Sequence, residues 1–363
     1  MSLARNFKHP LFIGIVVVAA LSAVAAVYAF GRRSPPADGE EVTTQSIIRA
    51  VFADDRLWLL HYDGSLASLA PRAAKAKMIK VYGKVKEICK SNGRLIAMIE
   101  DTINSWKIQE RSPGEWKSVA PIASDTDTFI TLACDDFDIT VITNRRIINV
   151  RGETIRAIRL SQQFQPPFDG GTATAEGSVI WLGFNVGEWG GGLRRIGRTD
   201  GKVEVIEYNR SNDLCGGPLN TGCDPVTGIV AAPGNSHCIF AAIGLVHMMS
   251  HGRIVEVCGN EIRRFYFKPL EPQPPGNRLD DGEPSSTTAF FGLARAGNRI
   301  WAIGIDGLYQ FDGSALPQFQ PLPKFENRGG YRVSFDIPGI ALVLTNVNQR
   351  NSVSGSVPIM ATR

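Results

Sequence analysis

Residues 236–251, with the sequence SHCIFAAIGLVHMMSH, concentrate side chains that bind soft metal ions. They include three of the five histidines, two of the six methionines and one of the six cysteines of the chain. Imidazole, thioether and thiolate groups in one short segment suit copper. The first chemistry that the sequence offers is therefore a copper site.

Strand geometry tests this copper hypothesis. Two-residue turns at the glycine inside the segment and at the glycine directly after it would put Cys238, His247 and Met249 on one face of a sheet. Glu256 would then lie opposite His247, and Cys258 would lie at the far end of the sheet from Cys238, too distant for a disulfide. Apolar side chains are interleaved on this face, which favours packing around a His247–Glu256 pair. Cys238, His247 and Met249 remain weak metal candidates, and we predict no metal site and no cofactor.

A second segment, GFNVGEWGGGLRR at 183–195, contains five glycines. A phosphate-binding loop needs such glycines to lead into a helix, whose first N–H groups bind the anion. Here they lead into LRRIGRTDGKVEVIE, which alternates like two strands joined by a turn. The segment is therefore predicted to be a long hairpin loop. Four of its side chains could form an aromatic platform for a partner or a sugar: Glu188, Trp189, Arg194 and Arg195.

The cysteines point to an oxidising compartment. Cys215 and Cys223 bracket GGPLNTG, a short run of turn residues, and are predicted to form a disulfide of the kind found in exported domains. Cys89 and Cys134 fall at equivalent strand ends in consecutive repeats, where either buried thiols or a bridge would fit. No C-x-x-C pair occurs, so a thiolate zinc site is not predicted, and no G-x-S-x-G or H-E-x-x-H motif is present.

The elements that would position these residues are short strands arranged in a repeat. Apolar strands separated by polar turns recur, and the second strand of each copy can be aligned on Trp58, Ile96, Thr140, Trp181, Ile239, Trp301 and Ala341. A spacing of about forty residues is typical of the four-stranded blades of a β-propeller. The chain is predicted to be all-β, a propeller of seven blades, with six or eight as alternatives.

Two intervals in this repeat are long, because they contain insertions at 209–224 and 269–286. Binding residues in such scaffolds tend to lie on elaborated loops carried by a rigid core. We expect both insertions to lie with the Trp189 loop around one opening of the propeller.

The N-terminus predicts a membrane segment. A short basic tail, 1–10, precedes LFIGIVVVAALSAVAAVYAF at 11–30, which is uncharged and long enough to span a bilayer. A cleaved signal peptide is the alternative. A linker, 31–42, then leads to the propeller domain, 43–363. The predicted location is the bacterial inner membrane, with a single pass and the bulk of the chain on the periplasmic or extracellular side.

Three repeats resemble a known family. AGNRIWAIGIDGLYQFDG, DDRLWLLHYDGSL and GSVIWLGFNVGEWGGGLRRI are similar to the propeller repeat in the periplasmic sensor regions of hybrid two-component regulators. The resemblance implies the fold, and no segment resembles a kinase or response-regulator domain. It does not by itself imply the signalling function.

These patterns favour a membrane-anchored, non-catalytic propeller that binds or scaffolds through its loop face. Its partners would be the membrane, through 11–30, and an unidentified protein or envelope complex. Nucleic acid is not predicted, because the net charge is only +4 and the basic residues are scattered. The alternative is a propeller hydrolase or lyase acting on a glycan or a small exported substrate in the central channel. The predicted innermost strands offer Arg49 and Arg295 there, but few carboxylates or histidines.

Overall fold

The computed structural model describes residues 45–102, 105–124, 126–165, 171–208, 215–247, 249–270, 286–313, 316–324, 330–348 and 358–363. The chain divides into two units, Met1–Thr43 and Thr44–Arg363, and the described residues belong to the second. The predicted membrane segment, 11–30, lies outside them. Among the described residues, no helix has the length and apolar character needed to cross a bilayer.

Seven antiparallel sheets, which we call blades 1 to 7, follow one another along the chain, and in each the strands pair in sequence order. Blades 1 to 3 consist of Ile47–Ala53 (β1), Arg56–His61 (β2), Leu66–Leu69 (β3), Lys77–Ile79 (β4); Lys84–Ser91 (β5), Arg94–Thr102 (β6), Ser105–Ser112 (β7), Glu115–Ala123 (β8); Phe129–Cys134 (β9), Ile139–Thr143 (β10), Arg146–Arg151 (β11), Thr154–Arg159 (β12). Blades 4 and 5 consist of Gly171–Glu176 (β13), Val179–Phe184 (β14), Leu193–Gly197 (β15), Val203–Ile206 (β16); Val226–Ala232 (β17), Asn235–His247 (β18), Met249–Cys258 (β19), Glu261–Tyr266 (β20). Blades 6 and 7 consist of Phe290–Ala296 (β21), Arg299–Gly304 (β22), Gly307–Phe311 (β23), Gln318–Pro321 (β24); Tyr331–Ser334 (β25), Ile340–Thr345 (β26), Ile359–Thr362 (β27).

The apolar core lies between the blades. The described residues form seven hydrophobic clusters, one at each interface between neighbouring blades. The last of these packs Ala50 of blade 1 against Leu342 and Leu344 of blade 7, which closes the ring. A blade cannot bury both of its faces alone, so closure is what completes the core. The predicted all-β propeller is confirmed with seven blades, and the alternatives of six and eight are wrong.

The connections alternate between the two ends of the propeller. In a blade whose strands pair in order, loops 1–2 and 3–4 lie at one end, and loops 2–3 and the connections to the next blade lie at the other. We call these ends the lower face and the upper face. The β14–β15 loop, the tip of the β18–β19 hairpin and both insertions are therefore connections of the upper face.

The β18–β19 hairpin corrects the predicted register of blade 5. Gly244 and Gly252 do not form turns but lie opposite each other within one long ladder. A Cβ atom at Gly244 would lie 2.0 Å from the carbonyl oxygen of Phe290. These glycines therefore allow the backbones of blades 5 and 6 to approach closely. In the sequence alone, a glycine with this role looks the same as a glycine in a turn.

The new register reverses two predictions. Glu256 lies opposite Phe240, not opposite His247, which is at the hairpin tip. Cys238 lies directly opposite Cys258, and the two form a disulfide with their Cα atoms 4.3 Å apart. The prediction that these cysteines are too distant to bridge is wrong, because it depended on the two misassigned turns.

The other four cysteines are also paired. The predicted disulfide between Cys215 and Cys223 is confirmed. Cys89 of β5 and Cys134 of β9 form a disulfide that links blades 2 and 3, which decides between the two alternatives left open by the sequence. Three disulfides are typical of a domain in a periplasmic or extracellular compartment.

Candidate binding rim on the upper face

The β14–β15 loop presents an exposed tryptophan on the upper face. Its residues Gly187–Trp189 form a single 3₁₀ turn, and the side chain of Trp189 is 74% exposed. Beside it, Oε2 of Glu188 lies 2.7 Å from Nδ1 of His247, at the tip of the β18–β19 hairpin. Two loops from neighbouring blades thus meet next to the tryptophan. We call Gly187–Trp189, this hairpin tip and the loop 215–224 the rim.

The three consecutive glycines explain how the loop is held. Gly191 donates its N–H to the carbonyl oxygen of Thr221 (2.9 Å), and Gly192 donates to that of Asp224 (2.9 Å). A Cβ atom at Gly190 would lie 2.4 Å from the Thr221 oxygen, and all three glycines have positive φ. The N–H groups of Gly191 and Gly192 are therefore occupied by the loop 215–224, that of Gly190 donates to the carbonyl oxygen of Gly187, and a strand follows them, as the sequence predicts. This arrangement does not bind phosphate.

A buried ion pair fixes the disulfide-closed loop to blade 5. Arg253 of β19 donates to Oδ2 of Asp224 at 2.5 Å and to the carbonyl oxygen of Pro218 at 2.7 Å. The side chains of Arg253 and Asp224 are 4% and 0% exposed. Nε2 of His251 lies 2.8 Å from Nη1 of Arg253, which completes the cluster. The loop 215–224 is therefore bonded both to blade 5 and to the β14–β15 loop.

The two arginines of the predicted platform do not join Trp189. Arg195 donates to Oε2 of Glu204 at 2.6 Å and lies over the Trp181 ring. The neighbouring Arg194 points to the opposite face of the strand, 5.9 Å from the centre of the Phe184 ring. Burial lowers the pKa of Arg194. Of the four predicted residues, the structure places Glu188 and Trp189 on the rim and uses both arginines within blade 4.

The weak metal candidates are not assembled. Cys238 lies at the lower end of blade 5, whereas His247 lies at the upper tip and contacts Glu188. Cys238, Glu256 and Cys258 have ligand atoms within 4.8 Å of one another, but the two sulfurs are bonded to each other and offer no thiolate. For Met249 the structure gives the backbone position alone, at the start of β19.

The second insertion begins and ends beside the rim hairpin. Pro269 forms a β-bridge with Thr287, and the hydroxyl of Ser250 donates to the Thr287 carbonyl at 2.7 Å. Residues 271–285, which make up most of this insertion, lie outside the described residues. Its stem is thus attached to β19 on the upper face.

A cavity of about 560 Å³ runs along the propeller axis below the rim. Asn185, Gly187, Leu245 and Val246 line its upper mouth. The predicted channel residues are both present: Arg49 comes from β1, near the upper end, and Arg295 comes from the end of β21, near the lower end.

The sequence interpretation missed Arg332 of the channel wall and Glu87, which contacts it. The carboxylate of Glu87 in β5 forms salt bridges to the guanidinium groups of Arg49, at 3.4 Å, and of Arg332 in β25, at 3.7 Å. The pairing of the first two strands has a bulge just before Arg49 in blade 1 and just before Glu87 in blade 2. In blades 5 and 6 a glycine, Gly228 or Gly292, follows the corresponding bulge. An alignment of the first strands on this position could have identified Glu87.

Comparison with known proteins identifies the fold. No family model matches the chain. No curated protein matches it either. Among solved structures, the extracellular domain of a putative hybrid two component system from B. thetaiotaomicron is 11% identical, with a TM-score of 0.50. The match covers 88% of this chain and 38% of that one, so this chain spans well under half of its length.

Two further structures have the same fold and different names. Virginiamycin B lyase from Staphylococcus aureus is 14% identical, with a TM-score of 0.52, and the match covers 89% of this chain and 95% of that one. The β-propeller domain of Cps50 (Swd1) from Myceliophteria thermophila is 11% identical, with a TM-score of 0.50, and the match covers 88% and 99%. The resemblance to the sensor propellers of hybrid two-component regulators is confirmed at the level of fold. At these identities the likeness defines a β-propeller and carries no function.

Proposed function

We propose that this chain is an extracytoplasmic propeller that binds a protein partner through the rim, without catalysis. The observation that carries the proposal is the exposure of Trp189 on a loop that is bonded to its neighbours. A 74% exposed tryptophan projects from a loop that contacts two neighbouring segments, through the Glu188–His247 contact and through hydrogen bonds to a loop closed by a disulfide. Exposed aromatic residues with polar neighbours are enriched among the residues that dominate binding at protein interfaces.

The proposal includes the membrane as a second partner. Residues 11–30 would anchor the chain as a single-pass protein of the bacterial inner membrane, with the propeller on the periplasmic or extracellular side. The three disulfides and the solved extracellular-domain neighbour support export. Labelling of Cys215 and Cys223 by a membrane-impermeant thiol reagent after mild reduction of intact spheroplasts tests this orientation. Labelling only after lysis would contradict it.

The binding role is tested by capture from detergent-solubilised membranes of the source cells, with the full chain as bait. The double variant Glu188→Ala/Trp189→Ala should lose a protein that the native chain retains. The matched control is Phe137→Ala, because Phe137 is 81% exposed but lies in the β9–β10 turn on the lower face. Identical captured proteins for all three baits would refute the rim as the binding surface.

A propeller enzyme with a central-channel site remains the second candidate, supported by the axial cavity and by Glu87, which contacts Arg49 and Arg332 of the cavity wall. Its weakness is the shortage of proton-transfer groups. Among the described residues that line the cavity, Asp336 is the one carboxylate and none is a histidine. Turnover of a candidate glycan that Glu87→Gln abolishes and Trp189→Ala leaves unchanged would favour the enzyme.

A further inference from the structure

Two guanidinium groups on the wall of the upper half of the axial cavity contact the same carboxylate. Arg49 and Arg332 come from the first strands of blades 1 and 7, which meet where the ring closes. Glu87 comes from the first strand of blade 2, and its side chain is 8% exposed. Nε of Arg49 lies 3.4 Å from Oε1 of Glu87, and Nη1 of Arg332 lies 3.7 Å from Oε2.

One carboxylate does not satisfy two guanidinium groups. Nε of Arg49 is buried and has no hydrogen-bond partner among the described residues. Oε1 of Glu87 already accepts a hydrogen bond from the backbone N–H of Ile88 at 3.3 Å. Burial lowers the pKa of Arg332, although the nearby Glu87 carboxylate acts in the opposite direction. The side chains of Arg49 and Arg332 are 39% and 27% exposed, so both are partly open to the cavity, where an additional anion would supply acceptors that Glu87 does not.

The rest of the cavity wall adds to the positive charge. At the lower end, Arg295 donates to the carbonyl oxygen of Ala232 at 3.5 Å, and Arg363 donates to that of Phe335 at 2.6 Å. Asp336 is the one acidic side chain at that end among the described lining residues. The described wall thus carries four arginines against one carboxylate, Asp336, and Glu87 contacts two of these arginines without lining the cavity.

We propose that Arg49 and Arg332 bind an oxyanion, the carboxylate or phosphate group of a small molecule that enters from the upper mouth. A guanidinium group offers paired N–H donors that match the two oxygens of such a group. The volume of about 560 Å³ is within the range of small-molecule sites. Glu87 keeps the two arginines in position and limits affinity by competing for them. Arg49 and Arg332 are not rim residues, although Gly187 of the rim lines the upper mouth, so anion binding by the purified chain does not require the proposed protein partner.

Isothermal titration of the full chain in non-ionic detergent, with inorganic phosphate and with succinate as probes, tests the site. We expect saturable binding of at least one probe, and the tighter probe identifies the group as phosphate or carboxylate. Arg49→Gln and Arg332→Gln should each weaken binding at least tenfold, and Arg332→Lys should retain part of the affinity. Glu87→Gln should tighten binding severalfold, because it removes the competing carboxylate.

The matched control is Arg299→Gln, since Arg299 is exposed at the start of β22 and does not line the cavity. This variant and Glu188→Ala/Trp189→Ala should bind as the native chain does, so failure of the rim and failure of the anion site are distinguishable. The proposal is overturned if neither probe binds the folded native chain, or if Arg299→Gln loses as much affinity as Arg332→Gln.

Discussion

The guanidinium group of Arg253 donates to the carboxylate of Asp224 at 2.5 Å, with both side chains almost fully buried. This contact joins the third strand of blade 5 to the disulfide-closed loop that precedes the same blade. The carboxylate of Asp224 also accepts a hydrogen bond from the backbone N–H of Asn220 at 2.6 Å. The backbone carbonyl oxygen of Asp224 accepts a hydrogen bond from the N–H of Gly192. This buried pair therefore holds the loop 215–224 against blade 5, and Asp224 links that loop to the β14–β15 loop.

Removal of one partner of this pair should destabilise the fold strongly. Arg253→Met leaves the Asp224 carboxylate buried and uncompensated, a change that costs about 3–5 kcal/mol. The matched control is Arg94→Gln, because the side chains of Arg94 and its partner Glu110 are 43% and 33% exposed, and it should cost below about 1 kcal/mol. Urea unfolding of the three proteins measures both effects. Equal losses for the two variants would show that burial does not set the strength of the Arg253 pair.

The disulfides should contribute unequally to stability. Cys89 and Cys134 are 45 residues apart in the sequence, whereas Cys215 and Cys223 are 8 apart. Because a longer closed loop loses more entropy in the unfolded chain, removal should cost roughly 4 kcal/mol for the first pair and about 2.5 kcal/mol for the second. Double Cys→Ala variants and thermal unfolding measure this order. A larger loss for Cys215→Ala/Cys223→Ala would contradict it and assign that bridge a native-state role in holding the rim.

Asp138 should make stability depend on pH below about 4. Hydrogen bonds from Arg151, and to a smaller extent the charge of Arg198 on the next blade, hold the pKa of Asp138 below its usual value. A carboxyl group with a lowered pKa in the folded state stabilises the fold above its unfolded pKa. This contribution is lost as the pH falls through the folded pKa.

The Asp138→Asn variant tests this dependence. It should lower stability at pH 6 and flatten the fall in the urea midpoint between pH 4 and pH 2. Asp136→Asn, an exposed change in the same turn, should leave the slope as it is. An unchanged slope in Asp138→Asn would show that other carboxyl groups control acid unfolding.

Trp189→Ala should leave stability almost unchanged, by less than about 0.5 kcal/mol, because the side chain is exposed and its removal creates no cavity. Trp58→Ala provides the contrast. Trp58 is 1% exposed between blades 1 and 2, and its truncation should cost about 3–5 kcal/mol. Thermal unfolding compares the two. A large loss of stability for Trp189→Ala would mean that this side chain packs within the fold and is not available to bind a partner.

The blade repeat was predictable because it depends on local patterns. All seven aligned positions, from Trp58 to Ala341, lie in the second strand of their blades. Alternating apolar residues and polar turns act over a few residues, so a single sequence displays them. The Cys215–Cys223 bridge was predictable for the same reason, since its loop is short.

The register of blade 5 was not predictable by such local rules. Gly244 and Gly252 look like turn residues, but the need for them comes from the backbone of Phe290 and its neighbours in blade 6, some forty residues along the chain. A slip in register moves every side chain in a strand, so this one misassignment also misplaced Cys238, Cys258 and His247.

The sequence by itself determined the class of fold, a repeat of about forty residues and the position of Trp189 in an over-long glycine loop. Only the tertiary structure decided which charged groups meet. Arg49, Glu87 and Arg332 belong to three blades, and Arg332 is far from the other two in the chain. They come together because blade 7 packs against blade 1, and no spacing along the chain encodes the closure of a ring.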